Sequence, residues 1–203
     1  AAHRRVVLDI DYQPALWGRA PFRGGNEMLV MAERVTERLH EVLPFCDLVA
    51  GTGDEIRIAG GDTDLGRALH RIRALTSATI VVNLGAQGCL VIDSAVPDDL
   101  GTHPVQPGFA AVVINTVGAG DGFIAGFLSA WLRDELLDTC ARRGNAVGAL
   151  VGSRPGGSAA MPSLAEVTMF LTLVPTPLRP DAHQQLRQLH RRVATPTPPG
   201  DVH

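Results

Sequence analysis

The chain has 203 residues, 45% hydrophobic and 19% charged, enough apolar material for one α/β domain with its own core and a tail. A net charge of −3 and an aromatic content of 4% provide neither a basic field nor stacking surfaces, which excludes nucleic acid as an expected partner. All 18 basic residues are Arg, and the lack of any Lys removes Schiff-base chemistry and the P-loop lysine together.

Arg5–Ile10 is rich in Val, Leu and Ile with little alternation, as in a strand buried on both faces of a parallel sheet. Asp9 and Asp11 interrupt it too early for a signal peptide and mark its carboxyl end, where open α/β sheets bind ligands. Asp9–Trp17 is therefore a candidate substrate or nucleotide loop, and a turn anchored by Trp17 explains it equally well. From Asn26 to Leu43, Leu29, Ala32, Val35, Leu39 and Val42 recur at helical spacing opposite Glu33, Arg34, Glu37 and Arg38, predicting an amphipathic covering helix. Asp47–Ala50 predicts a short strand, and Leu65–Leu75 a second helix. Between them, Asp54 and Glu55 suit either magnesium or a solvated helix start. Ala78–Leu84 and Cys89–Ile92 read as strands joined by a hairpin-like turn at Gly85–Gly88, Pro97–Pro107 as an irregular crossing, and Ala110–Ile114 as a further strand.

That strand feeds Asn115-Thr116-Val117-Gly118-Ala119-Gly120-Asp121, a glycine loop opening a helix. Such a junction points free backbone N–H groups, backed by the positive end of the helix dipole, at whatever occupies the loop, which suits an anion. Asp121 would repel a resting phosphate, so its use lies beside a hydroxyl approaching a phosphoryl group; capping the helix is the plainer alternative. Gly122–Arg133 carries a broad apolar face of Phe123, Ile124, Phe127, Leu128 and Trp131, with Gly126 permitting close packing. Glu135–Val151 is a second apolar helix in which Asn145 needs partners, with a backbone group slightly favoured over a nucleotide edge. Ser163 and Glu166 match a capping box after a Gly/Pro/Ser loop. Residues 1–172 thus form the domain; 173–203, with Pro175, Pro177, Pro180 and a basic stretch, read as an extension or linker.

Cys46, Cys89 and Cys140 are odd in number and sit in apolar contexts, as core residues in a reducing cytoplasm would. The seven His show no zinc-binding spacing, and no apolar run approaches membrane-spanning length. Strands alternating with helices predict an α/β fold, a doubly wound, mostly parallel sheet. The dehydrogenase fingerprint begins at Gly118 and Gly120 but fails at Phe123, and no P-loop is present. What remains is phosphoryl transfer, with backbone donors stabilising charge and Asp121 orienting an alcohol and finally accepting its proton.

At these residues the chain resembles the ribokinase-type (PfkB) carbohydrate kinase family, whose signature is D-T-x-G-A-G-D before an apolar helix; the match is Asn115–Asp121. The resemblance spans Val6 to about Phe170. Within the family it leans to the deoxygluconokinase branch of inositol catabolism through Asp11–Trp17, Ala159–Ser163 and the tail from Arg179 to Arg191. It implies a cytoplasmic transferase that uses ATP and magnesium to phosphorylate a sugar or sugar acid, 5-dehydro-2-deoxygluconate on the branch resemblance. Asp121 is then the base, and Gly118, Ala119 and Gly120 form the anion hole. Asn83, Gly85, Gly88, Thr116 and Asn145 bind ATP, Asp11 and Gln13 join Asp121 at the substrate, and Glu55 organises magnesium through water and phosphate. The resemblance admits a monovalent cation as well, a carry-over weakened by Asn115 in place of the usual Asp. Gln13 replaces an Arg of the branch and Thr52 an Asn of the family.

The family also places roughly a further half-chain, with a small β lid, before Val6. The resemblance therefore implies a C-terminal portion with an unpaired sheet edge, which associates with itself or with a complementing N-terminal segment. The alternative function is a catalytically incompetent nucleotide-binding or interaction module whose partner carries the lid; a dehydrogenase is a distant third.

Overall fold

A computed structural model describes residues 4–12 and 25–173, with side chains from residue 34 onward in the second stretch. Gln13–Trp17 of the predicted loop, the Leu29 and Ala32 side chains and the Pro-rich tail from residue 174 lie outside the described residues. Five strands form one sheet in chain order: β1 (Val7–Asp9), β2 (Leu48–Thr52), β3 (Thr79–Asn83), β4 (Gly88–Ile92) and β5 (Val105–Pro107). β1, β2 and β3 are parallel, β4 runs against them, and β5 returns to their direction. Among the described residues β1 is an edge strand, paired only with β2.

Alternation along the central strands sorts their side chains onto two faces. Val49, Ile80, Val82, Leu90 and Ile92 face a layer made by α1 (Gly25–Val42), α2 (Gly53–Gly60) and α3 (Leu65–Leu75), where Ile56, Leu69 and Ile72 are fully buried. Leu48, Ala50, Val81 and Cys89 face α4 (Ala119–Trp131) and α5 (Leu137–Gly152), whose Phe123, Phe127, Ala130 and Cys140 complete the second core. Burying a side chain the size of Phe127 contributes about 1.5–3 kcal/mol. α6 (Leu164–Leu173) packs through Val167 against Val147 and Val151 of α5, and the predicted capping box opens it: Ser163 N–H donates to Glu166 Oε2 at 2.7 Å. The three cysteines are free and buried, and no described helix is long and apolar enough to cross a membrane.

Gly126 does what its position predicts. A Cβ there would lie 2.8 Å from Val147 Cγ2 and 2.9 Å from the Arg143 carbonyl, so α4 and α5 approach closely only without one.

The structure departs from expectation in two places. Ala110–Ile114 forms no strand: the N–H groups of Ile114 and Asn115 both donate to Gly152 O, and Val112, Val113 and Ile114 are 81%, 60% and 62% exposed. β-branched residues favour a strand only where a neighbour offers a ladder and a buried face, and this segment has neither among the described residues. The Pro97–Pro107 crossing contains a short 3₁₀ turn at Leu100–Thr102 and then β5. The helix start weighed for Asp54 and Glu55 is present: Gly53–Gly60 is a helix, closed by Gly61 in the left-handed conformation at φ 63°.

Candidate functional site

The carboxyl ends of β1, β2 and β3 converge on the N-terminus of α4, and two clefts meet there. One, of about 170 Å³, is lined by Asp9, Asp11, Glu55 and Asp121 among others. The second, of about 380 Å³, runs from Thr116 and Gly120 to Phe109, Asn145 and Ala149. Thr52, Asn83, Gly120 and Phe123 line both, so the clefts are continuous across the start of α4.

The loop before α4 is built for exposed donors. Gly118 caps the helix at φ 81°, a left-handed backbone that glycine adopts without strain, and it contributes no side chain to the cap. Ala119 N–H donates to Thr116 O at 3.2 Å and Gly122 N–H to Gly118 O at 2.8 Å. No partner among the described residues takes the N–H groups of Gly120 and Asp121, which stand at the positive end of the helix. Asn115 holds the loop from outside: its Nδ2 donates to Gly156 O at 3.0 Å and its Oδ1 accepts from Val117 N–H at 3.1 Å.

Glu55 has a structural duty as well as a place in the cleft. Thr52 caps α2, and Glu55 closes the capping box by accepting from Thr52 N–H at 2.6 Å and Thr52 Oγ1 at 2.8 Å. Its other oxygen accepts from Tyr12 N–H at 3.1 Å, tying the chain after β1 to the start of α2. The neighbouring Asp54 turns away to Arg57 at 2.9 Å, the helix-start reading of that residue. Asp9 feels the crowding most. Partial burial, then the charges of Glu55, Asp121 and Asp11, push its carboxyl from 3.8 up to about 6. The acids are spread around the cleft: no group of three or more His, Cys, Asp or Glu among the described residues is arranged to hold a metal ion directly. Glu55 lines this cleft with one carboxylate oxygen held by Thr52 and the other by Tyr12.

The remaining residues named from sequence divide. Asn83, Gly85, Thr116 and Asn145 line the larger cleft, and Asn83 Oδ1 orders the turn by accepting from Gly85 N–H at 2.8 Å. Asp11 lines the acidic cleft, and Gln13 lies outside the described residues. Gly88 and Gly118 line neither cleft. Gly88 sits at φ 106°, where a Cβ would fall 1.9 Å from Gln106 O, so it is required by the close approach of β4 and β5. Asn145 is buried, and its Nδ2 donates to the carbonyls of Gln106 and Pro107, each at 3.1 Å; the backbone partner anticipated for it is real.

Sequence reasoning placed Asp9 in the candidate loop without a role of its own and missed the walls of the larger cleft, Phe109, Val113, Gly148, Ala149 and Gly152. A signal existed for part of them. Gly144, Gly148 and Gly152 recur every fourth residue on α5, a flat stripe; Cβ atoms at 144 and 148 would meet Phe123, and one at 152 would approach Asn115 O.

The profile of the pfkB family carbohydrate kinase matches residues 22–164. The 5-dehydro-2-deoxygluconokinase of Geobacillus kaustophilus is 26% identical over 170 residues, covering 82% of this chain and 46% of the relative. Among solved structures, aminoimidazole riboside kinase from Salmonella enterica, complexed with aminoimidazole riboside and an ATP analog, superposes with a TM-score of 0.64 at 23% identity, covering 83% of this chain and 52% of that one. Fructokinase from Vibrio cholerae, in its fructose-, ADP- and calcium-bound form, has a TM-score of 0.62 at 25% identity, covering 82% and 50%. The chain spans about half the length of the curated relatives it matches.

Proposed function

Because the chain belongs to the pfkB family of carbohydrate kinases, we propose that its joined clefts carry phosphoryl transfer from ATP to a hydroxyl of a sugar or sugar acid. The observation that carries this reading is the start of α4. Gly120 lines both clefts and presents an N–H without a partner among the described residues, and the next residue, Asp121, lines the acidic cleft. The larger cleft takes the nucleotide, with its phosphates at the loop of Gly118, Ala119 and Gly120. Asn83, Gly85 and Thr116 border it.

The acceptor hydroxyl stands beside Asp121, with Asp11 and Gln13 assigned to the substrate. Its oxygen forms the new bond to the γ-phosphorus as the bond to the bridging oxygen breaks and ADP leaves. Asp121 is a weak base towards an alcohol, so the proton moves to it late, when the forming O–P bond has lowered the oxygen's basicity. Magnesium, when bound, neutralises charge on the phosphates, and Glu55 orients its water shell. A monovalent cation near the loop would serve the same charge. The fructokinase solved with ADP and calcium, and the riboside kinase solved with an ATP analog, support the nucleotide assignment. The names of the deoxygluconokinase relatives support 5-dehydro-2-deoxygluconate as acceptor; a cytoplasmic role in inositol catabolism follows from the branch resemblance alone.

A second reading is a nucleotide-binding module that acts only with a partner segment, and the single pairing of β1 within the described sheet favours it. Asp121→Asn separates the two. In the kinase reading the variant keeps ATP affinity within several-fold, and ADP release with the sugar acid falls by ~10²–10⁴. Unchanged turnover would overturn the base assignment, and absence of turnover in the parent chain would favour the module.

A further inference from the structure

We infer that Asn115 is a positioning residue whose uncharged amide stands where a monovalent cation would: it clamps the anion loop to the turn at Gly156 and Gly157, so that nucleotide binding neither needs nor senses potassium. The inference rests on the nucleotide reading and deepens it. Three contacts of one residue hold the loop from behind. Asn115 Nδ2 donates to Gly156 O at 3.0 Å, its Oδ1 accepts from Val117 N–H at 3.1 Å, and its own N–H donates to Gly152 O at 3.2 Å. Gly156 offers its carbonyl from a backbone at φ 93°, which glycine adopts without strain. The turn lies directly against the loop: a Cβ on Gly118 would come 3.3 Å from Gly157 Cα, and one on Gly157 would come 3.6 Å from Val117 Cγ1.

A cation beside the loop, which the family resemblance admits, does not fit the groups that face it. A potassium ion is held by oxygen dipoles that replace its hydration shell. Gly152 O, with two lone pairs, already accepts from the N–H groups of Ile114 and Asn115, at 2.8 and 3.2 Å. Gly156 O faces the hydrogen-bearing end of the Asn115 amide, and the amide's oxygen is turned to Val117. The NH₂ group thus brings its partial positive charge to Gly156 O and bridges loop and turn without a net charge. A carboxylate of the same shape would set oxygen against oxygen there, and a cation between them would be needed to join them.

Calorimetric titration of the full 203-residue chain with Mg·ATP in potassium, sodium or tetramethylammonium chloride, at one ionic strength so that screening is common, tests the claim. The three dissociation constants are expected to agree within about twofold. An affinity more than about fivefold higher in potassium than in tetramethylammonium overturns the inference and leaves the nucleotide reading standing. Failure of a folded chain to bind in any of the three salts overturns the nucleotide reading and the inference with it. Asn115→Asp supplies a readout that a merely structural role would not move. In tetramethylammonium its dissociation constant for Mg·ATP is expected to rise by about 5- to 150-fold, the effect of one unmet polar contact, and in potassium to return to within about twofold of the parent value. Parent-like affinity in tetramethylammonium, or a loss that potassium does not relieve, refutes the claim. The salt comparison on the parent chain needs no variant and decides the claim whether or not Asn115→Asp folds.

Discussion

Gly120→Ala tests the site with little cost to the fold. A Cβ at this position meets no heavy atom within 4 Å, and Gly120 is not among the residues with positive φ, so alanine fits without strain. Replacing a glycine where the backbone suits alanine stabilises by ~0.4–1 kcal/mol, chiefly by restricting the unfolded chain. In a domain of this size that raises Tm by about 1–4 °C. The empty space beside Gly120 is also the junction of the two clefts. A phosphate oxygen accepting from Gly120 N–H would sit ~2.9 Å from that nitrogen, where the added methyl crowds it. Overpacking of this kind costs ~1–3 kcal/mol, a loss of about 5- to 150-fold in ATP affinity. Thermal melts and calorimetry on the same sample read both effects. A variant that is more stable and binds ATP within twofold of the parent would refute the placement of phosphate at this helix start.

The raised value of Asp9 sets a pH dependence. Its neutral form is favoured in the fold, so its stabilising contribution is complete below about pH 3.8 and is lost as pH rises through about 6. Asp9→Asn cannot ionise, and its Tm advantage over the parent is expected to be negligible at the acid end of that window and to grow across it; a constant difference across the same melts would contradict the crowding of the four acids. Gly88→Ala forces a left-handed backbone and a Cβ 1.9 Å from Gln106 O, costing at least ~3 kcal/mol. It is expected to lower Tm and expose the β4–β5 edge to proteolysis, and a well-folded variant that loses only ATP binding would return Gly88 to the nucleotide site.

Where the sequence carried a strong local rule, the fold followed it. The glycine loop before an apolar helix, the 3.6-residue pattern of Leu65–Leu75 and the Ser163–Glu166 box each appear where the residues place them. Short and composite elements were hidden. Val105-Gln106-Pro107 becomes a strand only because β4 lies beside it, and the helix start at Asp54 and Glu55 stayed one of two readings until Thr52 was seen to cap it. Ala110–Ile114 has strand composition and no ladder, since its apolar residues face outward in this chain. In the site, Asp121 and Gly120 were legible because their chemistry belongs to one loop. Asp9 was not assigned a role, because its crowding comes from residues on two other elements, Glu55 of α2 and Asp121 of α4, whose proximity only the folded sheet creates. For Asn145 the pull of a polar residue in an apolar helix was visible, and its backbone partners emerged only once β5 was placed.

The most direct test of the account is an NMR titration of the ¹⁵N-labelled chain with Mg·ATP, following the backbone amides at the start of α4. The account predicts saturable shifts at Gly120 and Asp121, whose N–H groups receive phosphate, with the Asn145 side-chain amide little changed. Saturable shifts that spare Gly120 and Asp121, or a folded chain with no shifts at all, would contradict it.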